Sequence, residues 1–384
     1  MIMIYPSEIT KKWPHRPLSE VVDFLDSKRK PITQKDRVPG PYPYYGANGQ
    51  QDSVADYIFD EPLVLLAEDG GHFGDADKTI AYQVEGKCWV NNHAHVLRPK
   101  KDVDIRYICR HLERYDVTPF ITGSTRGKLT KTAANNIPIA LPPLEEQRRI
   151  AAILDKADGV RRKRKEAIRL TEELLKSTFL EMFGDPVTNP KGWEICELQN
   201  VCNRVTDGTH QPPNWADEGI PFLFVSNIVN GEIDFKVSKH ITEESWFELT
   251  SRCPIEINDI LYTTVGSYGN AALVRTKNRF CFQRHIAHIK PDSRSIEPEF
   301  LLGMMQSDWI RQQADKQARG VAQKTLNLRE LKKFTIFTPP IEEQKKYVKL
   351  RQGVEKQLSY YRSALEQSEN LFNSLLQKAF RGEL

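Results

Sequence analysis

Apolar residues recur at three- and four-residue steps through two long stretches of this chain. The first runs through Ile150, Ile153, Ala157, Val160, Ala167, Ile168, Leu174, Leu175 and Met182, and the second through Tyr347, Leu350, Val354, Leu358, Tyr361, Leu365, Leu371, Phe372 and Leu375. That spacing predicts two amphipathic helices of roughly forty residues, each ~60 Å long at ~1.5 Å rise per residue. Each follows a strand-like run, 137–141 or 334–338, that stops at a double proline. Proline cannot stay within a central strand but suits a first helical turn, and the glutamates just after it lie where the helix dipole favours negative charge. A helix this long with one apolar stripe needs a partner, and the nearest partner is the other copy. The rest of the chain reads as two blocks of mixed strand and helix, so the expected segments are 1–141, the helix 142–186, 187–338 and the helix 339–384.

The two helices belong to one repeated frame. Gly123 through Phe183 lies on Gly320 through Phe380 without a gap, at a constant offset of 197. Leu129 falls on Leu326, Pro142-Pro143 on Pro339-Pro340, Glu145-Glu146-Gln147 on Glu342-Glu343-Gln344, Leu174 on Leu371 and Ser177 on Ser374. An ungapped match this long is hard to obtain by chance and marks an internal duplication. The blocks also begin alike, with Trp13, Leu18 and Val21 answered by Trp193, Leu198 and Val201. Between these landmarks only fragments agree, such as His93…Pro99 against His285…Pro291.

Composition narrows the class. Hydrophobic residues at 39% and charged residues at 28% are those of a soluble globular chain, long enough for two to four structural units. Apolar runs such as 63–67 are too short to cross a bilayer, and the first residues lack an export signal. A cytoplasmic protein with no membrane partner is expected. The six cysteines form no Cys-x-x-Cys pair, which fits reduced thiols better than a disulfide frame or a zinc ribbon. A net charge of only +4 means that any affinity for nucleic acid must come from local faces.

The order block, helix, block, helix, with each helix announced by Pro-Pro-Leu/Ile-Glu-Glu-Gln, resembles the specificity subunit of type I restriction-modification systems over essentially the whole chain. Tyr42-Pro-Tyr-Tyr-Gly-Ala-Asn-Gly49, Leu65-Leu-Ala-Glu-Asp-Gly70 and Trp89-Val-Asn-Asn-His-Ala-His-Val-Leu97 resemble one class of target recognition domain in that family. Thr206-Asp-Gly-Thr-His210, Gly219-Ile-Pro-Phe222 and Asp259-Ile-Leu-Tyr262 resemble another. The resemblance implies an α+β chain in which two mixed α/β recognition domains are held apart by the helices as an antiparallel coiled coil, with pseudo-two-fold symmetry. Each domain would read one half of a bipartite, asymmetric site in double-stranded DNA. The helices would dock two methyltransferase subunits and set the spacer, and restriction (translocase) subunits would join that core. S-adenosylmethionine would sit on the methyltransferase partners, with no cofactor on this chain. Docking is expected at Glu146, Gln147, Ile150 and Leu174 in the first frame, and at Glu343, Gln344, Tyr347 and Leu371 in the second. The recognition subunit of a type IIB restriction enzyme shares this plan. A non-DNA scaffold built on a duplicated helix pair is the alternative from a different class.

Catalytic motifs are missing, so a binding subunit and not an enzyme is expected. An adenine methyltransferase needs Asn-Pro-Pro-aromatic, whereas Gln211-Pro-Pro-Asn-Trp215 has that order reversed. Gly123-Ser-Thr-Arg-Gly-Lys-Leu129 has three residues between its glycines where a P-loop has four, and it ends in leucine. His93-Ala-His95 and His285-x-x-His288 have no acid or cysteine nearby at a metal-binding spacing.

Candidates for DNA contact are softer signals. Tyr42, Tyr44, Tyr45 and Asn48 crowd a glycine-rich loop, offering aromatic surface and an amide able to pair with adenine. His72, Asn92 and His93 belong to the neighbouring motifs of the same block. Thr125, Arg126, Lys128 and Lys131, with Gln323 and Lys324 in the second copy, put donors on matching loops where backbone phosphates can be gripped. Asp207, Thr209, His210, Gln211 and Asn214, joined by Arg284 and His285, mix donors and acceptors as base edges demand. Each of these loops is equally readable as a plain polar turn. The basic run 161–165 reads as a solvated helix face or as a phosphate contact over the unread spacer.

Overall fold

A computed structural model describes residues 3–9, 12–123, 127–229, 231–320 and 324–384. The candidates Thr125, Arg126 and Gln323 lie outside the described residues. Both long helices form where the apolar spacing puts them, at Leu144–Phe183 and Ile341–Arg381. Packing divides the chain into two compact units, Met1–Ile168 with Tyr360–Leu384, and Arg169–Ser359. Each unit therefore takes a portion of both long helices.

The first unit is built on two four-stranded sheets. One runs Val22–Phe24, Ala94–Pro99, Leu63–Ala67, Ala81–Val84, with antiparallel neighbours throughout. Its inner strand Leu63–Ala67 is covered on both faces, and all five residues are buried, which is why it reads as an unbroken apolar run. The other sheet runs Gly49–Val54, Pro39–Gly46, Lys87–Val90, Phe59–Asp60, with one parallel pair, Pro39–Gly46 beside Lys87–Val90. A small ladder of His15–Pro17 against Pro138–Ala140 leads into the first long helix.

The second unit repeats this plan with other residues. Its first sheet runs Cys202–Asp207, Ile286–Pro291, Ile260–Thr263, Ala271–Leu273, and its second runs Trp215–Ala216, His240–Ile241, Ile220–Leu223, Cys281–Phe282. Again one pair is parallel, Ile220–Leu223 beside Cys281–Phe282. Glu194–Glu197 pairs with Thr335–Thr338 just before the second long helix. The first sheets thus correspond strand for strand even where the sequences do not, whereas in the second sheets the order differs and the parallel pair moves from the middle to the edge.

Neither globule closes its core without the long helices. In the first unit Ile150, Ala151 and Leu154 from one helix and Phe372, Leu376, Ala379 and Phe380 from the other are buried with Leu18, Val21, Tyr107, Leu112 and Ile139. The two helix portions there run antiparallel. Arg149 bonds the carbonyl of Leu384, Arg161 lies over the Phe372 ring at 4.6 Å, and Lys165 pairs with Glu369 at 2.9 Å. In the second unit Phe179, Phe183 and Tyr347 join Phe300 and Phe337 in an aromatic cluster, with Phe183 edge-on to Phe300 at 4.9 Å. Burying each such ring contributes about 1.5–3 kcal/mol.

A glutamine amide locks each long helix to its globule. Gln147 donates to the carbonyls of Pro142 at 2.9 Å and Asp102 at 3.2 Å, and its Oε1 accepts the N–H of Asp104 at 2.9 Å. Gln344 donates to the Pro339 carbonyl at 2.7 Å and accepts the N–H of Glu297 at 2.8 Å. Asp104 and Glu297 are the N-cap residues of the helices Ile105–Leu112 and Pro298–Met305, so the same joint is made twice.

Several sequence expectations need correction here. Gln147, Ile150, Gln344 and Tyr347 are all at most 2% exposed, and each is committed to the interior of its own unit, so none is a docking surface. Glu146 and Glu343 are held by Arg149 at 2.8 Å and Lys346 at 2.6 Å, one turn along the same helix. Leu174 and Leu371, by contrast, are 58% and 57% exposed. Val160 and Leu350 are exposed too, so the apolar periodicity overstates what the fold covers.

The basic run 161–165 is neither a plain solvated face nor a free phosphate grip. Arg161 pairs with Asp158, Arg164 bonds the Ala364 carbonyl and Ser368, and Lys165 pairs with Glu369. Three of its five members are turned toward the other helix, while Arg162 stays exposed beside Asp158.

Replacing Gln147 with alanine strands the buried Pro142 carbonyl and removes the partner of the part-buried Asp104 N–H and Asp102 carbonyl. A loss of about 2–3 kcal/mol in unfolding free energy is expected, measured by urea denaturation at constant m-value. A second test concerns His111, which is fully buried against Phe380 at 4.6 Å and Tyr115 at 5.7 Å, with no hydrogen-bond partner at either ring nitrogen. Burial, reinforced by the charge of His15, pushes its pKa down to about 3. Between pH ~6.5 and that value the unfolded chain binds a proton that the folded chain refuses, so stability falls as pH falls, by about 1.4 kcal/mol per pH unit from this group. The His111→Leu variant should show a correspondingly flatter loss of stability between pH 6.5 and 4.5 in the same denaturation experiment.

Candidate nucleic-acid interface

In each unit three chain segments meet at one end of the first sheet, held by the same backbone bonds. Glu68 N–H donates to the His93 carbonyl at 2.8 Å, and Leu129 N–H donates to the Glu68 carbonyl at 2.8 Å. In the second unit Thr264 N–H donates to the His285 carbonyl at 2.9 Å, and Leu326 N–H donates to the Thr264 carbonyl at 2.8 Å. Thr122 and Lys128 exchange both backbone bonds, as do Arg319 and Thr325. Gly123 and Gly320 both have positive φ, 96° and 115°, which explains why the repeat holds glycine at this position.

The side chains mounted on this frame differ. Glu68 takes Arg29 at 2.6 Å and Lys128 at 3.3 Å, whereas the Thr264 hydroxyl donates back to the His285 carbonyl at 2.9 Å. Arg29 also bonds the Ala94 carbonyl at 2.7 Å, so it ties 92–94 to the acidic strand end. Arg29 was missed in sequence, because an arginine between Ser27-Lys28 and Lys30-Pro31 carries no motif.

Beside this junction the first unit opens a cleft of about 370 Å³, lined among others by Ile32, Arg37, Tyr44, Asn48, Gln51, Asp69, Asn91, Asn92 and His93. Asn48 sits at the turn between Pro39–Gly46 and Gly49–Val54 and donates to the Gly70 carbonyl at 3.0 Å. That bond fixes its orientation and leaves Oδ1 and one N–H on an exposed side chain. Tyr44 is 1% exposed, its hydroxyl tied to the backbone of Ile32 and its ring beneath Arg37 at 4.3 Å. As a surface aromatic it is a wrong expectation; the alternation of the strand turns it inward, where it forms part of the cleft wall. Tyr45 is half-buried against Tyr82. Tyr42 packs edge-on to Tyr57 at 5.0 Å and does not line the cleft. His93 faces Asp69 at 3.4 Å, and Asn92 is exposed on the cleft wall. His72 is half-buried, and Lys128 and Lys131 are exposed, the latter over the ring of Phe24.

The second unit presents a loop ladder beside its own junction. Thr209 bridges to Gln283, with Thr209 N–H donating to the Phe282 carbonyl at 3.2 Å and Arg284 N–H donating to the Thr209 carbonyl at 3.1 Å. His210 pairs with Asp207 at 2.7 Å, and Arg284 and Gln211 are exposed. Burial, helped by the charges of Arg284 and His210, holds the His285 pKa below its ordinary value. A neutral imidazole offers one donor and one acceptor. Lys324 carbonyl accepts the Gly266 N–H at 3.0 Å, bringing its exposed side chain to the same cluster. Asn214 lies elsewhere, against Ser245 and Thr242 at the second sheet.

Metal binding was not expected around His95, yet the fold brings Asp26 and Glu68 to it, with ligand atoms within 4.8 Å of one another. Arg29 already occupies that space, 2.6 Å from Glu68 and 3.4 Å from Asp26, and His95 Nε2 faces the Leu129 carbonyl at 2.8 Å. Burial works against the Asp26 carboxylate, but its bonds to His95 and Val96 hold it below the usual range. The group is a closed ion-pair cluster, and a divalent cation would have to displace a guanidinium.

The sequence matches the family described as "Type I restriction modification DNA specificity domain" twice, over residues 10–170 and 190–360. A Haemophilus influenzae protein named as a type I restriction enzyme specificity subunit is 29% identical over 346 residues, which is 87% of this chain and 86% of that one. The fold is similar to the crystal structure of the type I restriction-modification S subunit from M. genitalium, with a TM-score of 0.61 at 15% identity over 96% of both chains. A chain from a study of complex assembly in the type I restriction-modification system aligns with a TM-score of 0.52 at 19% identity, over 98% of this chain and 99% of that one.

Gly208 gives a direct test of the loop ladder. A Cβ at this position would lie 2.4 Å from the carbonyl oxygens of Phe282 and Gln283, both backbone atoms. Gly208→Ala should cost the second unit at least ~2 kcal/mol. Hydrogen exchange should show protection lost around 202–211 and 281–288 and unchanged in the first unit.

Proposed function

The chain belongs to the DNA specificity subunits of type I restriction-modification systems, non-catalytic subunits with two recognition domains, and from that premise we propose that each of its units reads one half of a bipartite, asymmetric duplex target. The observation that carries this reading is the duplicated backbone frame around Glu68 and Thr264, bearing unlike side chains. A shared junction with different contents is what two independent readings of two different half-sites require.

In the first unit the reading surface is the cleft with Asn48, Asn92 and His93, flanked by Lys128 and Lys131 for phosphates. In the second it is Asp207, Thr209, His210 and Gln211 with Arg284, His285 and Lys324. Amides and imidazoles address base edges, whereas the lysines position the duplex without reading it. Thr125, Arg126 and Gln323 extend the phosphate contacts, and the recognition domains correspond to 1–141 and 187–338.

The long helices, 142–186 and 339–384, form an antiparallel coiled coil with pseudo-two-fold symmetry and dock the rest of the complex. Leu174 and Leu371 occupy equivalent positions in the repeat and are similarly exposed, which supports two equivalent docking faces for two methyltransferase subunits. Restriction (translocase) subunits complete the assembly, and S-adenosylmethionine binds the methyltransferase partners. No helix among the described residues is long and apolar enough to cross a membrane.

Exchanging residues 1–141 for the corresponding block of a relative tests the reading. Mapping of methylated adenine in cells carrying the chimera, with its methyltransferase, should show one half-site changed and the other half-site and spacer retained. A change in both halves would contradict independent reading, and loss of all duplex binding by a folded chimera in a band-shift assay would favour a scaffold role.

A further inference from the structure

The second unit holds a group of side chains that the reading loops do not use. Cys253, half-buried just beyond the helix Glu243–Thr250, has its Sγ 3.4 Å from Nδ1 of His288. Nε2 of His288 lies 2.6 Å from Oδ2 of Asp259, and both of those residues are buried. Asp259 is fixed in turn, accepting from Lys290 Nζ at 2.9 Å and from the Glu256 N–H at 2.8 Å. Arg204 pairs across the sheet with Lys290 and donates to the Arg252 carbonyl at 2.6 Å, one residue from the thiol.

This is a thiol, imidazole and carboxylate in relay. The carboxylate at Nε2 orients the ring so that Nδ1 meets the sulfur, and it stabilises the imidazolium that forms if the thiol proton moves there. We propose that Cys253 is a modification site, a nucleophilic thiol activated by His288 and Asp259 that reacts with hydroperoxides.

In that step the Cys253 thiolate attacks the terminal oxygen of the hydroperoxide. A sulfur–oxygen bond forms as the oxygen–oxygen bond breaks, and the departing alkoxide takes the Nδ1 proton of His288. The products are a sulfenic acid at Cys253, an alcohol and neutral His288; sulfur is oxidised by two electrons and the hydroperoxide is reduced by two.

The surroundings agree with this chemistry. Burial raises the Cys253 thiol, but the bond to His288 and the charges of His288, Arg204 and Lys290 outweigh it and leave the thiol below its ordinary value. The other five cysteines are all displaced the opposite way by burial, Cys88 and Cys281 to about 11, Cys109 and Cys202 to about 12, and Cys196 upward as well. They are internal controls in the same chain.

The test uses the folded full-length protein. Cysteines are alkylated with limiting iodoacetamide, or oxidised with hydrogen peroxide in the presence of dimedone, and read out by peptide mass mapping. Cys253 should be alkylated about 10-fold faster at neutral pH than Cys196, which is also half-buried, and its rate should persist to lower pH. Dimedone should label Cys253 first. Equal or slower reaction at Cys253 than at Cys196 overturns the proposal. His288→Gln keeps an amide for Asp259 but carries no positive charge, so it should bring Cys253 to the Cys196 rate. Undiminished reactivity in a folded His288→Gln protein would remove His288 from its positioning role, and if that variant fails to fold, the comparison within the unaltered chain decides.

Discussion

The buried amides of Gln147 and Gln344 are the joints on which the architecture turns. A helix of forty residues is useful as a structural element only if its direction is fixed relative to the globule that precedes it. A double proline alone stops a strand without aiming the helix after it. Here the amide grips the carbonyl of the first proline and, through Oε1, the N-cap N–H of a short helix in the globule. The amide and the proline carbonyl are buried, so their bond cannot be exchanged for water without cost. Once the helix is aimed, Ile150, Ala151 and Leu154 land in the first core and Tyr347 in the second.

The second consequence is that frame and contents are physically separable. The bonds that build each junction are made by backbone atoms of Glu68, His93 and Leu129 or of Thr264, His285 and Leu326. Backbone bonds tolerate a change of side chain, and so a glutamate held by Arg29 and Lys128 can stand where the other unit has a threonine. What the side chains then need is local support, which Arg29 supplies in one unit and the Thr209 to Gln283 ladder in the other. The recognition chemistry can vary without disturbing the sheets beneath it.

The features legible in the sequence were those carried by periodicity and repetition. The helix limits, the strands before them and the glycine pair Gly123 and Gly320 all follow from local pattern. The features that were not legible depend on residues distant in sequence. Tyr44 looked like a member of an aromatic loop, but strand alternation buries it. Gln147 and Gln344 looked like docking residues because they sit in the most recognisable motif, whereas the motif is recognisable for its role in the joint. Asp26 reaches His95 from 69 residues away, and Asp259 reaches His288 from 29. No spacing rule could have paired them.

The misread basic run shows why the seam between the helices is polar in the first unit. An apolar seam has many nearly equivalent registers, since one turn of slip replaces one aliphatic contact by another. In this unit the seam carries Arg164 with Ser368 and Lys165 with Glu369, and polar pairs tie each helix to the globule, Asp158 with Arg110 and Asn373 with Arg114. Phe372 lies among the guanidinium groups of Arg110, Arg114 and Arg161. Asp158 is nearly buried, and its carboxyl is held low because the arginines outweigh the cost of burial. A one-turn slip of the first helix would carry Asp158 and Arg161 together away from Arg110 and would part Arg164 from Ser368 and Lys165 from Glu369, and a broken buried pair costs about 3–5 kcal/mol. Register is therefore set by charge and hydrogen bonding, while the apolar residues supply adhesion. With the register fixed, Phe372, Leu376 and Phe380 reach the core of the first unit, and a globule at one end of the sequence is completed by residues from the other.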